Sequence, residues 1–197
     1  AFMKILELRS LKAGEAMELG IDDELLYELR GVVDVRNGFI RVVDPIGLAM
    51  IIIKLGVDVE AVSRLLSWRD FEKLCVEALR NHGFEVKAPL RFKYEDRRYE
   101  VDIVAFKHQV MLIIDCKHWM MRSGQSSKIR EASVKHLDKC VKLARLRKTG
   151  FTIPLIVTLM DLGFKQPVEG VLIVPIFKLN SFLLGFESHI DELPVVG

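Results

Sequence analysis

Cysteine is scarce in this chain. Three residues, Cys75, Cys116 and Cys140, lie far apart and odd in number, with no C-x-x-C spacing. That excludes a disulfide framework and a cysteine-built zinc site, and it fits a reducing compartment. Long apolar runs are also missing. The longest near the start, Ile46 to Ile53, is far too short to span a bilayer. The first residues do not show the basic-then-apolar order of a signal peptide, so the expected location is the cytoplasm, away from any membrane. Net charge is nearly absent: the formal value is +2, so whole-chain electrostatics announce no polyanionic partner, although a local patch still can. No internal repeat and no low-complexity segment interrupts the chain.

What is present divides near residue 66. Residues 1–66 read as a small helical module with a β-hairpin. "MKILELR" reads as a short strand, and "LKAGEAMELG" and "DDELLYELR" read as short helices stopped near Gly20 and Gly31. "VVDVRNGFIRVVD" alternates apolar residues around Asn37-Gly38, a strong hairpin signal. Pro45 opens another helix, Gly56 closes it, and Asp58 caps the next. This set suits either a winged-helix-like module or a plain helical support.

Residues 67–197 follow a different order. "WRDFEKLCVEALRNHG" is an amphipathic helix with Phe71, Leu74, Cys75, Ala78 and Leu79 on one stripe. "FEVK", "LRFKY", "RYEVDIVAF" and "VMLIIDCKHW" read as strands, with turns at Glu95-Asp96 and Lys107-His108-Gln109. A polar loop precedes a helix from about Lys128 to Lys148, with apolar face Val134, Leu137, Val141 and Ala144. "IPLIVTLM" and "GVLIVPIFKL" read as strands, and a final helix starts at Ser181. The expected fold is a three-layer α/β/α domain with a mixed central sheet.

Two of those strands carry acids where burial disfavours them. Strand side chains alternate faces, so Asp115 and Lys117 point one way and Cys116 the other, into packing. Asp102 lies on the preceding strand, with twelve residues between it and Asp115. Two neighbouring carboxylates repel, and one takes up a proton unless a cation intervenes. Mg²⁺ prefers carboxylate, carbonyl and water oxygens, so Asp102, Asp115 and the Cys116 backbone carbonyl form a candidate site for Mg or Mn. Glu72 stands at the edge of its helix's apolar stripe and needs a partner, which a metal cluster or an ion pair supplies. For Asp115 and Lys117 the bland alternative is an ion pair on an exposed edge strand.

Together Glu72, Asp102 and Asp115-x-Lys117, set out as helix, strand and next strand, resemble the PD-(D/E)xK nuclease superfamily. Within it the pieces "DFEKLCVEALRNHGFEV", "YEVDIVAF" and "LIIDCKHW" resemble Mrr-type restriction endonucleases and archaeal Holliday-junction resolvases. The resemblance runs from about Trp68 to Leu193. Val101 stands where the superfamily's name has proline, and Asp115 where these groups usually carry Glu or Gln. The resemblance implies a restriction-endonuclease-like fold and Mg-dependent hydrolysis of DNA phosphodiesters. Asp102 and Asp115 would hold the metal, Lys117 would orient a water and stabilise the transition state, and Glu72 would hold a second ion or a water.

The helix from Lys128 bears eight Lys or Arg against Glu131 and Asp138. Lys128, Lys135, Lys139 and Lys142 form a stripe that either tracks a phosphate backbone or is a solvated surface. Arg122 and Gln125, on the loop after Trp119-Met120-Met121, are further candidate DNA contacts. The five histidines share no metal spacing. A homodimer is expected, using Trp119-Met120-Met121 and Phe182, Leu183, Leu184 and Phe186 as apolar surface, because duplex DNA presents two strands. The rival functions are a nuclease fold that binds DNA but cuts little, and a scaffolding subunit. The composition alone does not separate DNA from RNA.

Overall fold

The structure is a computed structural model. It describes residues 1–117, 125–147, 150–159 and 161–196, and the side chains of 125 and 126 lie outside that description. The chain divides into two compact units, Ala1–Lys73 and Leu74–Gly197.

The first unit begins with a helix, α1 (Phe2–Leu8), where the sequence suggested a strand. Ile5 and Leu6 are its buried residues, a spacing that a helix places on one side and a strand splits between two faces. Strand β1 (Ser10–Lys12), helices α2 (Ala13–Glu18) and α3 (Asp23–Glu28) and strands β2 (Val33–Arg36) and β3 (Phe39–Val42) follow. The three strands form an antiparallel sheet in the order β1-β3-β2. Asn37 and Gly38 link β2 to β3 with φ of 52° and 74°, the left-handed pair that a two-residue type I′ turn needs. Helix α4 (Pro45–Lys54) starts where Asp44 accepts from the amides of Ile46 and Gly47 at 3.1 and 3.0 Å. Gly47 has no room for a side chain, because a Cβ there would lie 2.4 Å from the Asp44 carboxylate. Asp58 likewise caps α5 (Val59–Ser63).

Helix α6 (Trp68–Asn81) runs from the first unit into the second. The second unit then contains β4 (Glu85–Lys87), β5 (Leu90–Tyr94), β6 (Arg97–Val101), β7 (Ile103–Lys107) and β8 (Val110–Lys117). Helix α7 (Gln125–Arg147), β9 (Phe151–Thr158), β10 (Leu172–Pro175) and α8 (Ile176–Gly185) complete it, with a 3-10 segment over Phe186–Glu192. Five strands form one sheet in the order β10-β9-β8-β7-β4. The β8–β9 and β9–β10 pairs are parallel, and β7–β8 and β4–β7 are antiparallel. Every residue from Val110 to Cys116 is buried. A strand hidden on both faces requires cover on both sides of the sheet, as in a three-layer α/β domain.

Three elements differ from their sequence reading. "RYEVDIVAF" is not one strand: the chain bends at Asp102 between β6 and β7. β6 pairs with β5 in a separate two-stranded ribbon, and β7 joins the main sheet. "GVLIVPIFKL" is a strand only to Pro175. The helix then begins at Ile176 rather than Ser181 and buries Ile176, Leu179 and Leu183 on one face. Finally, the buried line of α7 is Ile129, Ser133, His136, Cys140, Leu143 and Ala144; of the expected face Ala144 is buried, Leu137 and Val141 are half-buried, and Val134 is 54% exposed. The helix is rotated from the purely apolar choice because His136 reaches the Ile113 carbonyl at 2.9 Å. Cys140 and Leu143 pack on Val104, Met111 and Ile113 of the sheet.

Candidate active site

β8 is the central strand of its sheet, with β7 on one side and β9 on the other. Its last residues carry the chemistry. Alternation along the strand buries Cys116 and turns Asp115 and Lys117 to the same face, where Lys117 Nζ lies 2.6 Å from Asp115 Oδ2. An ion pair is therefore present, but not on an exposed edge strand. Asp115 is 7% exposed, and a charge so buried must be compensated.

The ladder that pairs Ile103 with Ile114 brings Asp102 level with Asp115. The bend at Asp102 aims its carboxylate at the neighbouring strand, and the Cys116 amide donates to its Oδ2 at 2.8 Å. The Asp102 carboxyl is pushed up to about 6. Burial is the main cause and the negative charge of Asp115 the next; the Cys116 amide and the Lys117 ammonium pull the other way. Two carboxylates thus compete for one cation, Lys117, and Asp115 holds it.

A cavity of about 370 Å³ opens beside this pair, lined by Asp115, Lys117, Lys128, Glu131, Lys135, His136 and Lys139. Lys128, Lys135 and Lys139 of the sequence-derived stripe therefore reach the site. Lys135 is engaged by Glu131 at 2.5 Å, and Lys139 donates to the Glu100 carbonyl at 2.9 Å. Lys142 is not in the lining. It pairs with Asp138 and lies 4.9 Å from the Tyr99 ring centre.

His136 is the residue that sequence reading passed over. Its Nε2–H donates to the Ile113 carbonyl, which leaves Nδ1 as the acceptor, buried and without a hydrogen-bond partner among the described residues. Burial holds its pKa below the usual histidine range, so the ring is neutral. No metal-ligand spacing marks it in the chain; only the packing of α7 across β8 brings it to the cavity.

Glu72 is half-buried on α6, in the stretch grouped with the first unit. Arg122, Trp119, Met120 and Met121 lie outside the described residues, as does the side chain of Gln125. Of the four apolar residues in the last helical region, Leu183 and Phe186 are buried in the fold itself, and Phe182 stacks on Phe186 at 6.1 Å. Only Leu184 is broadly exposed, at 70%. Phe186 also lies in the 3-10 segment rather than in α8.

Among the described residues no three His, Cys, Asp or Glu side chains converge as a metal centre. The donors that do converge are hard oxygens: the Asp102 carboxylate at the bend before β7, and on β8 the Asp115 carboxylate beside the Cys116 carbonyl. The unrelieved repulsion between the acids is what a divalent cation removes, so this donor set fits Mg²⁺ rather than a soft metal.

The Mrr catalytic-domain family, described as "Restriction endonuclease", matches residues 63–159. An uncharacterized protein of Archaeoglobus fulgidus is 30% identical over 128 residues, covering 64% of this chain and 97% of the relative. Among solved structures, the protein of unknown function AF1548 gives a TM-score of 0.41 at 20% identity, over 53% of this chain and 55% of that one. Protein VC1899 of Vibrio cholerae gives 0.42 at 14% identity, over 96% and 51%. Can2 of Sulfobacillus thermosulfidooxidans, solved with cyclic tetra-adenylate, gives 0.45 at 13%, over 96% and 50%. The chain spans about half the length of each of these three structures. By the domain matched over residues 63–159, the chain belongs to the Mrr-type restriction endonuclease family.

Proposed function

We propose that the chain is a divalent-metal-dependent endonuclease that hydrolyses phosphodiester bonds of DNA. The observation that carries the reading is the meeting of Asp102, Asp115 and Lys117 at the end of the central strand. In this reading Asp102, Asp115 and the Cys116 carbonyl would hold Mg²⁺ or Mn²⁺. When bound, the ion lowers the pKa of a coordinated water and offsets charge gathering on phosphorus.

The chain's own residues supply the rest. Lys117 stands within hydrogen-bond reach of Asp115 and is placed to orient the attacking water and to donate to a phosphate oxygen. An ion held by Asp115 would free this ammonium for that role. The Cys116 amide fixes one oxygen of Asp102, so that the carboxylate has a single orientation. Lys128, Lys135 and Lys139 give the cavity a positive rim that suits a polyanion. Glu72 is assigned a second ion or its water. The neutral His136 ring forms the wall of the cavity. Residues 1–66 are assigned as a separate module and the nuclease as residues 67–197. A homodimer would give each strand of a duplex its own site.

Calorimetry with Mg²⁺ or Mn²⁺ tests the metal, and nicking of supercoiled plasmid tests the reaction. Wild type should give binding heat and cut, and Asp102→Ala should do neither. Equal, negligible heats for the two would end the metal reading. Metal binding without cutting would leave a nuclease-fold DNA binder.

A further inference from the structure

The two compact units carry opposite charge. Residues 1–73 hold ten Lys or Arg against thirteen Asp or Glu, a net −3, and residues 74–197 hold nineteen against fourteen, a net +5. The chain's near-neutral total of +2 conceals this split. The first unit is also acidic where a DNA reader should be basic. In its winged-helix reading α3 is the helix offered to the groove, yet Asp22, Asp23, Glu24 and Glu28 cap and line it, with no Lys or Arg between them.

Most of the second unit's cation excess lies on α7, with seven Lys or Arg against Glu131 and Asp138, and the β5–β6 ribbon beside it adds four cations against three acids. This hairpin is not hydrogen-bonded into the five-stranded sheet. Its inner face carries Leu90 and Phe92, which pack on the cluster that includes Cys140 and Leu143 of α7. Phe92 stacks on Tyr99 at 5.4 Å. Its outer face carries Arg91, Lys93, Arg98 and Glu100, all exposed. Glu100 answers Arg91 at 2.5 Å. Lys93 stands directly opposite Arg98 in the ladder. A like-charge cross-strand pair opposes hairpin formation. Asp96, fully exposed at the turn, lies 3.4 Å from Lys93, and among the described residues Arg98 has no acid partner.

The ribbon is also continuous with the candidate site. Lys139 lines the cavity beside Asp115 and donates to the backbone carbonyl of Glu100 in β6. Arg145, two turns further along α7, reaches the Tyr94 hydroxyl at 3.5 Å. A cationic band therefore runs from the cavity along α7 onto the ribbon.

We propose that the β5–β6 ribbon is a docking element for duplex DNA, gripping the phosphate backbone through Arg91, Lys93 and Arg98, and that the N-terminal unit is not the DNA reader. The inference takes its ligand from the nuclease reading above. A two-stranded ribbon is narrow enough to lie along or within the major groove. Phosphate-binding side chains of this kind position the duplex over the site without reading its sequence.

The test is fluorescence anisotropy on the full chain with a short labelled duplex, in EDTA so that nothing is cut. Removing one phosphate-binding cation should flatten the plot of log affinity against log salt by about 0.9. Lys93→Ala/Arg98→Ala should therefore flatten it by about 1.8, a loss that grows to about 60-fold at roughly 100 mM salt relative to about 1 M. Lys93→Arg/Arg98→Lys, which keeps both charges, should bind as wild type. Arg36→Ala/Arg41→Ala on the N-terminal hairpin should leave affinity and slope unchanged. If wild type binds and Lys93→Ala/Arg98→Ala keeps its slope, the ribbon assignment is overturned while the nuclease reading stands. A loss seen in the N-terminal variant instead overturns the exclusion of the first unit. An RNA hairpin that competes as well as the duplex overturns the choice of DNA duplex. Wild type that binds no duplex at all fells the DNA reading itself.

Discussion

Replacing Asp102 with asparagine should stabilise the metal-free protein at neutral pH and destroy its response to metal. Asparagine keeps an oxygen for the Cys116 amide but carries no charge toward Asp115. The folded carboxyl titrates at about 6 against an ordinary 3.8. Ionising it in the folded state therefore costs up to about 3 kcal/mol. Asp102 is only half-buried, so solvent screening reduces this to about 1–2 kcal/mol. Between about pH 4 and 6 the folded chain holds a proton that the unfolded chain has released. The cost is therefore absent below about pH 4 and complete above about pH 6. Metal-free wild type should lose stability as pH rises through that window, and Asp102→Asn should not. Urea denaturation at pH 4.5 and pH 8 with EDTA, followed by circular dichroism, measures the gap. At pH 8 with EDTA the variant should be the more stable by about 1–2 kcal/mol. Saturating Mg²⁺ should reverse the order by stabilising wild type alone. A variant less stable than wild type at pH 8 in EDTA, or a gap that ignores pH, would refute the picture of two carboxylates in conflict.

Three further outcomes are expected. Lys117→Met should retain metal binding by calorimetry but lose at least about a hundredfold in the rate of plasmid nicking, because it removes the donor assigned to the charge that develops in the transition state; a rate within a few-fold of wild type would exclude Lys117 from the chemistry. Gly38→Ala, at φ 74°, should cost about 1 kcal/mol or more in urea denaturation, since a Cβ disfavours the left-handed region that the hairpin turn needs; an unchanged midpoint would mean the turn contributes nothing to the first unit. Light scattering should give twice the chain mass of 22.5 kDa if a symmetric pair serves the two strands, and a monomer that still cuts both strands would point to sequential nicking.

Much of this protein is decided locally, and local features are readable in the sequence. Asn37-Gly38 makes a hairpin because those residues tolerate positive φ. Asp44-Pro45 starts a helix because a carboxylate caps bare amides and proline fits the first turn. Asp115 and Lys117 share a face and Cys116 is buried because a strand alternates. The charge excess on α7 is likewise plain in the order of residues. Other features depend on what arrives from far along the chain. The break at Asp102 appears only when β6 leaves with β5 and β7 enters the main sheet. No period in "RYEVDIVAF" marks where one pairing partner replaces another. His136 belongs to the buried line of α7 because a carbonyl of β8, twenty-three residues earlier, accepts its proton. Apolar periodicity cannot reveal a polar residue buried for its hydrogen bond, so the sequence placed Val134 inside instead. The division of charge between a −3 unit and a +5 unit is likewise readable in the sequence, since the boundary near residue 66 and the structural one after Lys73 give the same split. Local propensity is a property of a few neighbouring residues. Which strand lies beside which, and what a helix face meets, is settled by long-range packing, and that is where the acids, the cations and the ribbon came together.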